Sequence, residues 1–296
     1  MKTVEVNGLK KNFKGFQALK DVTFEVNAGE VMGYIGPNGA GKSTTIRVLL
    51  GILRSSGGMV RIFGKDVWKD ALEIHRRIAY VPGDVNLWPN LSGGEIIDLF
   101  MKLQGTTNVE RRDALIQKFD LDPKKKARTY SKGNRQKVAL IAALASDAEL
   151  FIFDEPTSGL DPLMEAVFQE EVARIKAEGK AIILSSHILS EVERLCDKVA
   201  IIREGEIIET GTLEELRHLT RYEYTVETKT VPLALKEVKG VHDLTIDGTQ
   251  AKFQADSDKV QEVLKALFPC KILKLESAPP TLEELFMRHY ARKQGE

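Results

Sequence analysis

Apolar and polar residues change period several times along this chain, and each change predicts an element. Val4 and Val6 alternate with polar neighbours, Gly15 breaks the run, and Val22, Phe24 and Val26 alternate again. That pattern predicts strand, turn, strand. Residues 31–35 (Val-Met-Gly-Tyr-Ile) are continuously apolar, as expected of a parallel strand buried on both faces. A glycine-rich stretch follows, and residues 45–50 read as a helix stopped at Gly51. Strands are expected at 57–64 and 78–81, with a helix over 68–77 between them.

From 86 to 147 the period is helical. Residues 95–104, 109–119 and 132–145 carry apolar positions at helix spacing, which predicts a helical insertion in an otherwise α/β pattern. Residues 150–153 then return to a buried strand ending on Asp154 and Glu155. A helix over 163–178, a strand over 181–186 ending at His187, and a hairpin across Glu204 and Gly205 complete the first part. Beyond 216–221 the order becomes βαββαβ plus a helix over 282–290, expected of a small ferredoxin-like α+β module. The predicted division is therefore 1–220 and 221–296.

Gly36, Pro37, Asn38, Gly39, Ala40, Gly41, Lys42, Ser43 and Thr44 fit G-x-x-x-x-G-K-[ST], flanked by strand and helix as a phosphate-binding P-loop requires. Its backbone N–H groups form a nest at a helix N-terminus, where anions bind. Lys42 is expected to reach the β- and γ-phosphates, and the Ser43 hydroxyl to ligate Mg²⁺. Asp154 and Glu155 end a buried strand, at the edge where open α/β sheets hold ligands. One acid is expected to face the Mg²⁺ and the other to orient or deprotonate water. His187 ends the next core strand, where it either faces solvent or points at the γ-phosphate. Phe13 and Phe16 lie on the first turn, as core plugs or as a stacking surface for adenine.

The 296 residues hold 43 basic and 43 acidic side chains, so nothing in the balance points to nucleic acid. Lys124, Lys125 and Lys126 read as a solvated loop. Cys196 and Cys270 are far apart and lack metal-ligand spacing, as expected of buried thiols in a reducing compartment. No apolar run approaches the roughly 18 residues of a membrane span, and the N-terminus alternates like a strand. A cytoplasmic protein is expected, reaching a membrane only through a partner.

Over about residues 2–220 the chain resembles the ATPase subunits of ATP-binding-cassette (ABC) transporters. Gly36 to Thr44 matches Walker A, and 150–155 matches Walker B. The resemblance makes Asp154 the magnesium-side acid, Glu155 the catalytic carboxylate and His187 the switch histidine. Ser158, Gly159, Leu160 and Asp161 match the D-loop, and Phe13 the adenine-stacking aromatic. Two stretches compete for the family's Leu-Ser-Gly-Gly-Gln signature. Leu91-Ser92-Gly93-Gly94-Glu95 is closer by letter but follows too soon after the strand ending at Val81, and reads as a capped helix start. Tyr130-Ser131-Lys132-Gly133-Asn134 precedes Walker B at the family's position, so Ser131, Lys132, Gly133 and Asn134 are taken as the signature facing a second subunit's ATP. Gly83 stands where the family has a glutamine contacting Mg²⁺ or water; with Asp84 and Trp88 it is assigned to the coupling loop. Pro82-Gly83-Asp84, Tyr130-Ser131-Lys132-Gly133 and Thr281-Leu282-Glu283-Glu284-Leu285-Phe286 together are similar to the drug-resistance-type exporter ATPases.

The resemblance implies a P-loop cassette with an antiparallel β subdomain and a helical insertion, binding ATP and Mg²⁺. It also implies pairing with a second copy, peripherally on the cytoplasmic face beneath a separate membrane subunit. The alternatives are a soluble ABC protein acting on ribosomes or DNA, and a nucleotide-binding regulator without hydrolysis.

Overall fold

The computed structural model describes residues 2–106, 108–218, 222–256 and 259–278. They fall into two compact units that divide between Thr210 and Gly211, ahead of the boundary expected at 220.

The first unit is built on a mixed ten-stranded sheet. β1 (Lys2–Phe13) and β2 (Phe16–Asn27) form the expected antiparallel pair. β3 (Val31–Ile35) leads through the glycine-rich loop into α1 (Lys42–Leu49). β4 (Gly57–Ile62), β5 (Lys65–Asp66), α2 (Ala71–His75) and β6 (Ile78–Val81) follow. The insertion contributes α3 (Gly93–Leu103), α4 (Val109–Lys118) and α5 (Lys132–Leu144). β7 (Leu150–Asp154), α6 (Pro162–Ala177), β8 (Ala181–Ser186), α7 (Leu189–Leu195), β9 (Lys198–Arg203) and β10 (Glu206–Thr212), whose last two residues lie past the division, complete it.

The strand order is β5-β4-β1-β2-β10-β9-β3-β8-β7-β6. β1, β2, β4 and β5 pair antiparallel, whereas β9, β3, β8, β7 and β6 run parallel. Every residue of β3, β7 and β8 is buried, which is why those strands read as apolar runs broken only at their ends, by Asp154 and by Ser185 and Ser186. Their register aligns Ile35 with Ser186 and Asp154 with Ser185. The chain therefore leaves for Gly36, Glu155 and His187 at one edge of the sheet, where parallel sheets hold ligands.

Caps set where the insertion's helices begin. Ser92 starts α3 with a complete capping box: its hydroxyl accepts from the Glu95 amide, and the Glu95 carboxylate accepts from the Ser92 amide at 2.6 Å. Asn108 caps α4, and Ser131 caps α5 by accepting from the Asn134 amide at 3.2 Å. Glu171, almost wholly buried on α6, fastens α4 to α6 by accepting from Lys118 (2.6 Å) and Arg174 (2.7 Å).

The second unit contains α8 (Leu213–His218), β11 (Tyr222–Thr228), β12 (Val241–Asp247), β13 (Gln250–Ala255), α9 (Val260–Leu267) and β14 (Ile272–Ala278). Its four strands pair antiparallel in the order β12-β13-β11-β14, as a ferredoxin-like βαββαβ chain requires. Val226, Leu235, Phe253, Val263 and Leu267 form its core. The helix expected over 232–238 is instead a 3₁₀ turn, Leu233–Glu237. The crossover between β11 and β12 is short and holds little more than one tight turn. The helix expected over 282–290 lies outside the described residues.

Candidate nucleotide site

The glycine-rich loop forms one wall of a cavity of about 310 Å³, lined by Phe16, Ala18, every loop residue from Pro37 to Thr44 except Ala40 and, across the opening, Glu155. Gly41 stands at the N-cap of α1 with φ 116°, a conformation that side chains disfavour, and offers no side-chain cap. The first-turn N–H groups of α1 are thus left for an anion. Lys42 is buried and donates to the carbonyls of Gly36 and Pro37, the latter at 3.2 Å. Burial pushes its ammonium down from the ordinary lysine value, while Glu155 and Asp154 hold it up. An ammonium held over backbone carbonyls beside two carboxylates is poised for phosphate oxygens. Ser43 is exposed to the cavity.

Asp154 is buried at the end of β7 and accepts from the Ser185 hydroxyl of β8. The same hydroxyl accepts from the Glu155 amide at 3.2 Å. One serine thus orients both consecutive acids, a role the sequence signalled only as a polar residue in an apolar strand. Glu155 itself has φ 49°, in the left-handed region that non-glycine residues seldom occupy. The resulting turn carries its carboxylate into the cavity, with Oε1 3.4 Å from His187 Nδ1.

Gly83 lies against these acids: a Cβ built on it meets the Asp154 carbonyl at 3.2 Å and Glu155 Cβ at 3.6 Å. The loop therefore stays beside the carboxylates although its side chain is missing. Asp84 is exposed on the same loop. Trp88 is half exposed, its ring 6.0 Å from that of Phe100. Between this loop and α5 runs a small apolar groove lined by Tyr80, Pro82, Leu87, Phe100 and Ala139.

Ser131, Lys132, Gly133 and Asn134 open α5 against the loop after β7. Gly133 approaches so closely that a Cβ would lie 2.4 Å from the Gly159 carbonyl, which no larger residue tolerates. Lys132 Nζ donates to the Ser158 hydroxyl at 2.7 Å, and buried Gln136 donates to the Pro156 carbonyl at 2.9 Å. Asp161 caps α6 through the Met164 amide, with Pro162 in its first turn. Gln136 was missed from sequence; a polar residue on the apolar face of α5 was its only sign. Phe16, not Phe13, lines the cavity. Phe13 pairs with it across the turn and lies half exposed under the Lys11 ammonium.

Residues 19–158 match the ABC transporter family, and residues 211–290 match the C-terminal domain of DrrA1-3-like ATP-binding proteins. The chain is 31% identical to the uncharacterized ABC transporter ATP-binding protein YhcH of Bacillus subtilis, over 97% of this chain and 96% of that one. It is 35% identical to the daunorubicin/doxorubicin resistance ATP-binding protein DrrA of Streptomyces peucetius, over 73% of this chain and 67% of that one. A solved ATP-binding subunit of an ABC transporter superposes with a TM-score of 0.70 at 34% identity, covering 73% of this chain and 92% of that one.

Proposed function

The chain belongs to the ATP-binding subunits of ABC transporters, and from that premise we propose that it is the ATP-hydrolysing motor of an exporter, working as paired copies beneath a separate membrane subunit. The observation that carries this reading is the convergence of Lys42, Ser43 and Glu155 on one cavity, with His187 beside Glu155.

The backbone amides of the P-loop and Lys42 hold the β- and γ-phosphates of ATP. Ser43 and Asp154 would hold Mg²⁺. Two protein oxygens suit an ion that keeps several waters and takes phosphate oxygens. Among the described residues no cluster of three or more His, Cys, Asp or Glu side chains competes for a metal. When bound, Mg²⁺ supplies positive charge at the phosphate oxygens. Glu155 orients the attacking water and accepts its proton, and His187, beside Glu155, contacts the transferred phosphoryl group on this reading. A second copy brings Ser131, Lys132, Gly133 and Asn134 over the γ-phosphate, the positive end of its α5 meeting the phosphate charge.

Similarity to a drug-resistance ATP-binding protein supports the exporter direction. Among the described residues no helix is long and apolar enough to cross a membrane; on this reading a separate membrane subunit supplies the transport path. The apolar groove at Leu87 and Phe100, with Trp88 half exposed beside it, is the seat of that subunit on this reading. Its test is the Glu155→Gln variant of the full chain. ATP binding should persist, hydrolysis should fall by roughly 10²–10⁴-fold, and an ATP-bound pair should elute earlier on size exclusion. Tagged Glu155→Gln in cells should retain an integral membrane protein, and Trp88→Ala should release it without lowering the melting temperature. Near-normal turnover, or recovery of ribosomes or DNA instead, overturns the proposal.

A further inference from the structure

His187 sits in a turn held at both ends by a single hydroxyl. Ser186 Oγ accepts from the Ile188 amide at 3.0 Å and gives its own proton to Glu191 Oε2 at 2.7 Å. The Ile188 carbonyl, 3.5 Å away, is the next acceptor within reach. Glu191, on α7, is 4% exposed, and its Oε1 is buried without a hydrogen-bond partner among the described residues. A buried carboxyl oxygen without a partner costs free energy, and its place here needs a reason. Burial pushes it up from the ordinary glutamate value, and the hydroxyls of Ser186 and Thr157 hold it back. Thr157, itself buried, lies two residues beyond Glu155 on the loop that follows β7. The carboxyl group therefore stands behind the turn that carries His187. The 3.4 Å approach of His187 Nδ1 to Glu155 Oε1 is made between that turn and the residue that follows β7.

We propose that Glu191 is a positioning residue for ATP hydrolysis: by accepting the Ser186 hydrogen bond it fixes the turn that carries His187, and so sets where His187 stands relative to Glu155. Without that acceptor the Ser186 hydroxyl turns to the Ile188 carbonyl and the His187 turn opens. The effect on turnover rests on the proposed ATPase function; the effect on His187 does not.

The test uses the full chain with Glu191→Ala, Glu191→Gln, Ser186→Ala and His187→Ala. Glu191→Ala should lower kcat by roughly ten- to a hundredfold, since a reacting group displaced by about 1 Å loses about 100-fold. Affinity for a fluorescent ATP analogue should not change. Glu191→Gln, which keeps an acceptor oxygen, should recover most of the rate. Glu191→Ala combined with His187→Ala should be no slower than His187→Ala alone, the mark of two groups acting as one unit. Without nucleotide, the His187 imidazole resonances, identified by their loss in His187→Ala, should move in Glu191→Ala. Should Glu191→Ala fail to fold, Ser186→Ala leaves the carboxyl group in place and must give the same rate and resonance changes. Losses that multiply, unchanged turnover or unmoved His187 resonances overturn the inference. A wild-type chain without ATPase activity instead overturns the proposed function, and the resonances still decide the role of Glu191.

Discussion

Lys132 Nζ donates to the Ser158 hydroxyl at 2.7 Å, tying the first turn of α5 to the loop that follows Glu155. If Ser131 to Asn134 is the signature, as proposed, the lysine replaces its usual glycine and this bond comes with that departure. Lys132→Ala should lower ATPase activity severalfold, because the loop loses a fixed point next to the cavity. The hydrogen bond is exposed and worth about 1 kcal/mol at most, so thermal unfolding should move by only a few degrees. Phosphate release and differential scanning on the same preparation check both. A large loss of melting temperature would make the contact a structural one.

Phe13 and Phe16 face each other across the first turn, and only Phe16 lines the cavity. Stacking of a base on an aromatic ring contributes roughly 1–3 kcal/mol. Replacing both rings by alanine should weaken ATP binding by that amount, and the single variants should apportion it. Equilibrium titration with a fluorescent ATP analogue measures each. Wild-type affinity in the double variant would remove aromatic stacking from the site.

Gly83 lacks the positive φ that would bar a side chain, and its nearest obstacle is a carbonyl 3.2 Å from the built Cβ. Gly83→Gln should therefore fold, with the neighbouring strand end shifting by a few tenths of an ångström. Its amide would reach towards the acids and lower the Mg²⁺ concentration for half-maximal hydrolysis. Asp84→Ala should raise that midpoint by removing a hydrogen-bond acceptor for bound water. A magnesium titration of both variants reads the two shifts, and unmoved midpoints would detach this loop from the metal.

Glu171 links α4 to α6 from a buried position. Burial alone would raise its carboxyl group, but hydrogen bonds from Lys118 and Arg174 bring it below the ordinary value. A lowered folded-state value stabilises the chain above the unfolded value of about 4.3, and that contribution is lost as pH falls through the folded value. Glu171→Gln should remove it, so that variant and wild type converge in stability towards acid pH. At neutral pH the loss should be roughly 1–3 kcal/mol, below the range for fully buried pairs because Lys118 is half exposed. Urea unfolding at several pH values makes the comparison.

What the sequence made legible was local. The run from Val31 to Thr44 spells strand, loop and helix within one stretch, and Ser92 with Glu95 spells a capped helix start three residues apart. The ferredoxin-like order could be read because each strand of the second unit announces itself by alternation. Contacts across long sequence separations were not legible. Nothing near Asp21 announces that β2 pairs in parallel with β10 at Glu206. Nor does anything near Asp154 say that the Ser185 hydroxyl, 31 positions later, will orient it. The 3₁₀ turn after Pro232 escaped for another reason: its apolar spacing suits a helix, and the shortness of the crossover decides against one.

The place of β3 between β8 and β9 also bears on how the chain is made. When Gly36 to Thr44 leaves the ribosome, the strand that leads into it has neither of its neighbours. The first arrives with residues 181–186 and the second with 198–203. At about 5–20 residues per second the wait lasts on the order of ten seconds. Throughout it a fully apolar strand keeps two unpaired edges. The nascent cassette thus exposes apolar strand edges until its last third emerges, and its nucleotide cavity is incomplete until Glu155 is in place.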